Sequence, residues 1–154
     1  MDNKKIAVVT GGSRGIGKEI AVKLAEEAYV IVNYNGSEEK AAQVVREIKD
    51  KGGNAEAVKC NVASFKECEK FIGDIVERFG KIDILVNNAG ISLVGLFTDA
   101  TVDDWNLMIN TNLTSVFTTC KNIIPHMIFI KMDRDIWKNV IWITFQNIMY
   151  QDIY

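Results

Sequence analysis

The stretch Thr10-Gly11-Gly12-Ser13-Arg14-Gly15-Ile16-Gly17 connects an apolar run, Ile6-Ala7-Val8-Val9, to a pattern typical of a helix. In that pattern Ile16, Ile20 and Leu24 recur on one helical face. A strand, a glycine turn and a helix in this order are the usual context of a phosphate-binding loop. The first turn of such a helix offers free N–H groups and a positive dipole end to an anion. The stretch therefore predicts a phosphate-binding loop; the alternative is a glycine turn that merely precedes a buried helix.

The glycines of this stretch have the spacing Gly-x-x-x-Gly-x-Gly, and each has its own expected role. Gly11 permits a tight turn, and Gly15 lets a pyrophosphate approach the backbone. Gly17 lets the helix pack closely against the strand. The spacing predicts that the loop holds the pyrophosphate of a nucleotide.

The composition is that of an ordinary globular protein. The chain has 154 residues, of which 48% are hydrophobic and 25% charged, so we expect a single domain with a real core. The net charge of −2 predicts no broad attraction to nucleic acid or to an anionic membrane. No apolar run is long enough to span a bilayer, and the residues after Met1 do not form a signal peptide.

The cysteines indicate a reducing environment. Cys60, Cys68 and Cys120 have neither the spacing of a metal site nor that of a disulfide framework. We expect reduced, partly buried thiols in a cytoplasmic protein, and no bound metal.

Strands and helices alternate along the chain. We predict strands over 5–10, 29–33, 55–60 and 82–87. We predict helices over 15–28, 37–51, 64–79 and about 102–128. Gly52 and Gly53 are expected to end the second helix, Ser64 to cap the start of the third, and Gly80 to lie just past the end of the third. This order predicts an α/β fold with a doubly wound, parallel, Rossmann-like sheet that binds ligands at the carboxyl ends of its strands. Because no glycine separates the first helix from the second strand, we expect Ala28 to take a left-handed cap conformation at some cost.

The long fourth helix carries an apolar stripe that we expect to face the core. Its members are Trp105, Ile109, Val116, Phe117, Cys120 and Ile124.

Two further motifs identify a family. Asn87-Asn88-Ala89-Gly90 follows the fourth predicted strand, and Asn110-Thr111-Asn112-Leu113-Thr114-Ser115-Val116-Phe117 lies in the long helix. Together with the glycine stretch, they resemble the short-chain dehydrogenase/reductase family over residues 4 to about 128. Within the family the chain is most similar to the 3-oxoacyl-acyl-carrier-protein reductases of fatty-acid synthesis. The resemblance implies an oxidoreductase that uses NADPH to reduce a ketone, such as a 3-oxoacyl thioester, to its 3-hydroxy form.

The resemblance also implies roles for residues at the matching positions. Those expected to hold the cofactor phosphates are Gly11, Gly12, Ser13, Arg14, Gly15, Ile16 and Gly17. Asn88, Ala89 and Gly90 would line the path of the ribose and nicotinamide, and Asn61 and Val62 would flank the adenine.

Asn112 matches the helix asparagine that supports the family's catalytic lysine through a water molecule. The alternative is that Asn112 is a polar group that stabilises an irregularity of the helix. The helix from about 102 to 128 also resembles one that the family uses for contacts between subunits, which implies a homo-oligomer.

Charge at the end of the second strand predicts the cofactor. NAD-binding proteins of this fold place an acid there, which accepts a hydrogen bond from the ribose. Here the segment reads Asn33-Tyr34-Asn35-Gly36-Ser37, with no acid before Glu38. Arg14 supplies a cation nearby, although it could also be an ordinary solvated surface charge. We therefore predict NADP rather than NAD.

The family's catalytic residues have no match in this chain. The family uses a serine, a tyrosine and a lysine, the last two spaced Tyr-x-x-x-Lys, and that spacing occurs nowhere in these residues. Thr144 or Phe145 stands in the serine region, within a predicted strand over 140–145. We therefore expect no turnover by this chain alone.

The amino-acid composition changes at about residue 129, after which the chain has many aromatic residues and no Gly, Ala, Ser or Leu. We divide the chain into a nucleotide-binding domain, 1–128, and a divergent tail, 129–154, which could add one strand to that domain. Our hypothesis is a truncated reductase whose fold lacks the C-terminal strands and helices and whose tail is a shifted reading frame or a divergent terminus. A non-catalytic dinucleotide-binding or interaction module and an unstable fragment are the alternatives.

Overall fold

The structure, a computed structural model, describes residues 4–130 and 140–142, and the side-chain environments of 4–127. The strands are β1 (Lys5–Val9), β2 (Ala28–Tyr34), β3 (Asn54–Lys59), β4 (Ile84–Asn87) and β5 (Val140–Trp142). They form one sheet in the order β3-β2-β1-β4-β5, and every neighbouring pair is parallel. The predicted doubly wound parallel sheet is confirmed.

Helices connect the strands and cover both faces of the sheet. They are α1 (Gly15–Leu24), α2 (Glu38–Asp50), α3 (Phe65–Phe79), α4 (Val102–Ile109) and α5 (Ser115–Ile130). A π-helical turn, Asn110–Thr114, lies between α4 and α5, and a 3₁₀ turn, Phe97–Asp99, precedes α4.

Alternate residues of β1 supply the two halves of the core. Ile6 and Val8 belong to a cluster with the buried faces of α3 and α5. Ala7 and Val9 belong to a second cluster with α1 and α2. This is the period of two that a strand imposes on its side chains. Since both of its faces are apolar, β1 is buried between the two layers of helices. The glycine turn begins directly after its carboxyl end.

The predicted caps of α3 are confirmed. The Ser64 hydroxyl accepts a hydrogen bond from the Glu67 N–H, and Gly80 ends the helix with φ 73°. Gly52, which follows α2, also has a positive φ of 82°. Such conformations suit glycine because it has no Cβ.

The expectation for the end of α1 is wrong. The helix ends at Leu24, and Ala28 is already the first residue of β2. Ala25 has the right-handed conformation, and no non-glycine residue in the described part of the chain has a positive φ. Two tight turns, in which the N–H groups of Glu26 and Glu27 bond to the carbonyls of Lys23 and Leu24, redirect the chain without a left-handed residue.

The predicted stripe of the long helix is only partly correct. Val116 and Cys120 are buried, but Trp105 is 56% exposed and Phe117 is 63% exposed. No residue of α4 is buried, so Trp105 lies outside the core. In α5 the buried apolar face runs through Val116, Cys120, Ile123 and Met127, and Phe117 lies off it. A π-helical turn, Asn110–Thr114, separates the two helices. One continuous amphipathic helix was therefore the wrong description of this segment.

The tail is described only in part. Val140–Trp142 forms β5, which pairs in parallel with β4. β5 lies within the strand predicted over 140–145. Trp137, Thr144, Phe145, Tyr150 and Tyr154 lie outside the described residues. Within the described part, no helix is both long and apolar enough to cross a membrane.

Candidate dinucleotide-binding site

A cleft of about 530 Å³ opens at the carboxyl ends of the parallel strands. Most of the residues that the resemblance assigns to a cofactor line it. These are Gly11, Ser13, Arg14, Gly15, Ile16, Asn61, Val62, Asn88, Ala89 and Gly90. The topology places their loops side by side, because β1, β2, β3 and β4 all point the same way.

Gly12 and Gly17 do not line the cleft but are buried beneath it. A Cβ at Gly12 would lie 3.1 Å from a methyl of Val32, and a Cβ at Gly17 would lie 2.6 Å from the Gly11 carbonyl oxygen and would clash with the Asn88 carboxamide. Gly12 therefore lets the turn approach the sheet at Val9 and Val32, and Gly17 lets α1 approach the Gly11 turn and the segment after β4.

The glycine turn is shaped by backbone that other residues rarely adopt. Gly11 has φ 63° and Gly15 has φ 55°. A Cβ at Gly11 would lie 2.9 Å from Ala89 Cα, whereas one at Gly15 would meet no atom within 4 Å. Gly11 thus serves close packing, while Gly15 leaves open space in front of the backbone, where a ligand can approach.

The start of α1 can accept an anion. The helix begins at Gly15, and its cap residue Arg14 makes no side-chain hydrogen bond to the first turn. The first turn carries no acidic residue. Because the first N–H groups of a helix lack intrahelical partners, they are donors available to a phosphate.

The segment after β4 is fixed to the glycine turn. The Thr10 hydroxyl accepts hydrogen bonds from the N–H groups of Asn88 and Ala89, each at 3.0 Å. The Asn88 carboxamide donates to the carbonyl oxygens of Thr10 at 3.0 Å and Gly11 at 3.1 Å. The glycine stretch and the Asn87-Asn88-Ala89-Gly90 motif, two of the three motifs behind the family resemblance, are therefore one hydrogen-bonded unit.

Asn112 lies in the π-helical turn and is 5% exposed. Its Oδ1 accepts from the Ile91 N–H and its Nδ2 donates to the Ile91 carbonyl oxygen, both at 2.8 Å. The side chain thus clamps the backbone just after Gly90, at the edge of the cleft. Its predicted link to a catalytic lysine stays a prediction; what the structure has at this position is a helix irregularity and a positioning contact.

The lining of the cleft holds one cation and no carboxylate among the described residues. That cation, Arg14, also lines an adjacent notch with Lys18, Lys40 and Glu47. Glu47 forms ion pairs with Lys18 at 2.8 Å and Lys51 at 2.7 Å. Hydrogen bonds from these lysines lower the pKa of Glu47 to about 2, so it is ionised at neutral pH. The balance beside Arg14 remains cationic.

Two other titratable groups line the cleft, and both are neutral at physiological pH. A hydrogen bond with Cys68, together with burial, raises the pKa of the Cys60 thiol. Burial, with a contribution from Glu38, raises the pKa of the Tyr34 phenol. Neither group is therefore poised as an anion that would repel a phosphate.

Several lining and supporting residues were not assigned from the sequence. They are Thr10, Asn33, Asn35, Cys60, Ile91, Leu107 and Thr111. A usable signal existed for Asn33, a polar residue at the end of an otherwise apolar strand. Leu107 gave no signal, since its place in the cleft depends on how α4 packs; Thr111 belongs to the third family motif, but the sequence assigned it no role.

The sheet and its cleft place the chain in the Rossmann-like class of α/β proteins. The sequence matches the short chain dehydrogenase family over residues 5–144, a range that includes β5. The chain belongs to the short-chain dehydrogenase/reductase family, as the motifs predicted.

Relatives and solved structures agree with this assignment. The 3-oxoacyl-[acyl-carrier-protein] reductase FabG of Staphylococcus epidermidis is 47% identical over 125 residues, which cover 80% of this chain and 51% of that protein. A metagenomic short-chain oxidoreductase in complex with NADP superposes with TM-score 0.78 at 34% identity, over 82% of this chain and 57% of that one. A short chain dehydrogenase of Burkholderia cenocepacia, also in complex with NADP, gives 0.75 at 40%, over 80% and 51%. The chain spans about half the length of these proteins.

Proposed function

We propose that this chain binds NADP(H) in the cleft, in preference to NAD(H). The observation that carries the proposal is the glycine turn. Gly15 leaves open space in front of the first turn of α1, which has no side-chain cap. Gly11 and Gly17 let the glycine turn pack closely against Ala89 and Asn88. This arrangement suits a pyrophosphate, which needs N–H donors and close approach to backbone.

The preference for a 2′-phosphate is supported by charge. No carboxylate lines the described cleft, so no acid there repels the phosphate or accepts a charge-assisted hydrogen bond from an unmodified ribose hydroxyl. Arg14 lies between the cleft and the cationic notch, and a guanidinium can bind phosphate through two N–H groups. Two of the family members in known structures carry NADP.

The lineage supports a carbonyl reductase. Relatives that are 47% identical over about 80% of this chain are named for the reduction of a 3-oxoacyl group on acyl carrier protein. A nicotinamide dinucleotide, when bound, supplies hydride for such a reduction. The residues of this chain would position it: the Asn88-Ala89-Gly90 segment, held by Thr10 and clamped by Asn112 at Ile91, forms the wall beside the glycine turn.

We propose further that these 154 residues bind the cofactor without turnover. No Tyr-x-x-x-Lys occurs among them, so no phenol with an adjacent lysine can donate the proton that a ketone reduction requires. Carbonyl-dependent oxidation of NADPH by the purified chain would overturn this part of the proposal.

The cofactor preference is tested by titrating the chain with NADPH and NADH and following nucleotide fluorescence. We expect NADPH to bind at least tenfold more tightly, and Arg14→Ala to weaken NADPH by about tenfold while leaving NADH nearly unchanged, because a charge-assisted contact to phosphate is lost. Arg46→Ala, on the exposed face of α2, is the matched control. Equal affinities for both nucleotides would refute the preference, and no binding of either would refute the site.

We also propose that the surface of α4, the π-helical turn and α5 contacts a second copy of the chain. Leu113 and Phe117 are 54% and 63% exposed, and they line an apolar groove with Val116 and Cys120. Large exposed apolar patches commonly mark interaction sites.

A further inference from the structure

We propose that Asn33 is a positioning residue that joins the two halves of the nucleotide cleft through its carboxamide. The inference rests on the proposed binding of a dinucleotide. Asn33 is the second-last residue of β2 and lines the cleft, yet it is only 2% exposed. A buried carboxamide needs partners for its donors and its acceptor.

Those partners belong to two different segments. Asn33 Nδ2 donates to the Cys60 carbonyl oxygen at 3.0 Å and lies 3.4 Å from that of Val58. Asn33 Oδ1 accepts from the Gly11 N–H at 3.4 Å, and the main-chain oxygen of Asn33 accepts from the Gly12 N–H at 3.0 Å. One residue thus bonds to both the glycine turn and the end of β3.

The sheet itself cannot make this connection. The strand order puts β2 between β1 and β3, so the turn after β1 and the segment after β3 share no ladder of hydrogen bonds. Asn61 and Val62 follow directly after Cys60 and line the cleft, where the family resemblance assigns them to the adenine end. The Asn33 carboxamide therefore sets the spacing between the phosphate and adenine ends.

The geometry demands a short side chain that both donates and accepts. Aspartate has the same shape, but its carboxylate would face the carbonyl oxygens of Val58 and Cys60 without a proton to donate. Protonated aspartate regains one donor. An acid that contacts a ribose at the end of β2 is thus incompatible with position 33, and the exposed Asn35 is the nearest position that can carry one.

The test measures NADP⁺ binding by Asn33→Asp, Asn33→Ala and the unchanged chain at pH 8 and pH 5.5. At pH 8 we expect Asn33→Asp to bind NADP⁺ about tenfold more weakly than the unchanged chain does at pH 8. At pH 5.5 its affinity should be within about threefold of that of the unchanged chain at pH 5.5. Asn33→Ala should be weakened at both pH values. Two other titratable groups that line the cleft, Tyr34 and Cys60, stay neutral over this range because their pKa values are raised; Arg14 is the cation of the lining.

Ile48→Val, a buried change in α2 outside the cleft, controls for a general loss of stability and should bind like the unchanged chain. An Asn33→Asp variant that binds normally at pH 8, or as weakly at pH 5.5 as Asn33→Ala, would overturn the inference. Failure of the unchanged chain to bind NADP⁺ would instead refute the proposed function.

A second measurement needs no variant. In the unchanged chain, the carboxamide protons of Asn33 should exchange with solvent at least a hundredfold more slowly than those of the exposed Asn35. When NADP⁺ is added, the NMR signals of the Gly11 amide and of the Asn33 carboxamide should both shift. Equal exchange at Asn33 and Asn35 would contradict the buried bridge.

Discussion

The cleft and the α4–α5 surface use side chains in opposite ways. At the cleft, polar side chains are withdrawn from solvent and bonded to backbone: Asn33 and Asn112 are buried, Asn88 is half-buried, and each holds a turn or loop in place. On the α4–α5 surface, large apolar side chains such as Trp105 and Phe117 are exposed. The first region is specified by hydrogen-bond geometry, whereas the second has only apolar surface and needs a partner to acquire specificity.

This difference predicts different sensitivities to substitution. A change at the cleft disturbs bonds between residues distant in sequence, so it should cost both stability and binding. A change on the α4–α5 surface should leave the isolated fold intact and alter only association.

The largest effect is expected at Gly17. In Gly17→Ala the new methyl group would meet the Asn88 carboxamide and the Gly11 carbonyl oxygen, and would force apart the unit that joins the two motifs. We expect the free energy of unfolding to fall by about 3 kcal/mol and nucleotide binding to be lost. Urea denaturation and an NADPH titration measure the two effects.

Gly73→Ala is the matched control, because Gly73 is exposed in the middle of α3 and a Cβ there meets no atom within 4 Å. It should raise the free energy of unfolding by about 0.5–1 kcal/mol, since alanine is the better helix former. Similar losses in both variants would show that Gly17 is no closer to its surroundings than an ordinary helical glycine.

Local patterns predicted most of the fold. The apolar strands, the Ser64 cap and the glycines after α2 and α3 are read within a few residues of one another, and the structure has them. The hydrogen bonds between Thr10 and Asn88 have only an indirect signal in the sequence, namely that both residues belong to motifs of the same family. The Asn33 bridge reaches Cys60, and Asn112 reaches Ile91; nothing in either local sequence records such a distant partner.

The apolar stripe of the segment from α4 to α5 is where the sequence pattern led to a wrong expectation. An apolar stripe states which side chains avoid water, but it cannot distinguish the core from an interface. Trp105 and Phe117 satisfy the pattern of a buried stripe and still lie on the outside, because α4 buries none of its residues and the buried face of α5 runs through Val116, Cys120 and Ile123.

An intermediate effect is expected at Asn112. In Asn112→Ala the Ile91 N–H and carbonyl oxygen lose their partner, and the segment after β4 is released from the π-helical turn. We expect a loss of about 1–3 kcal/mol in the free energy of unfolding, measured by urea denaturation. The exposed Asn106→Ala in α4 should change it by less than about 0.5 kcal/mol. Equal costs at the two positions would mean that the clamp contributes nothing to stability.

The smallest effect on the fold is expected at Phe117. Since its side chain is 63% exposed, Phe117→Ala should change the free energy of unfolding of the isolated chain by less than about 0.5 kcal/mol. Ile123→Ala, in the same helix but fully buried against the sheet, should cost about 2–5 kcal/mol. In sedimentation experiments across a concentration series, the unchanged chain should self-associate and Phe117→Ala should remain closer to a monomer. If both sediment alike while Ile123→Ala unfolds as expected, the α4–α5 surface is not the contact between copies, and the apolar groove beside Phe117 has to be explained by another partner.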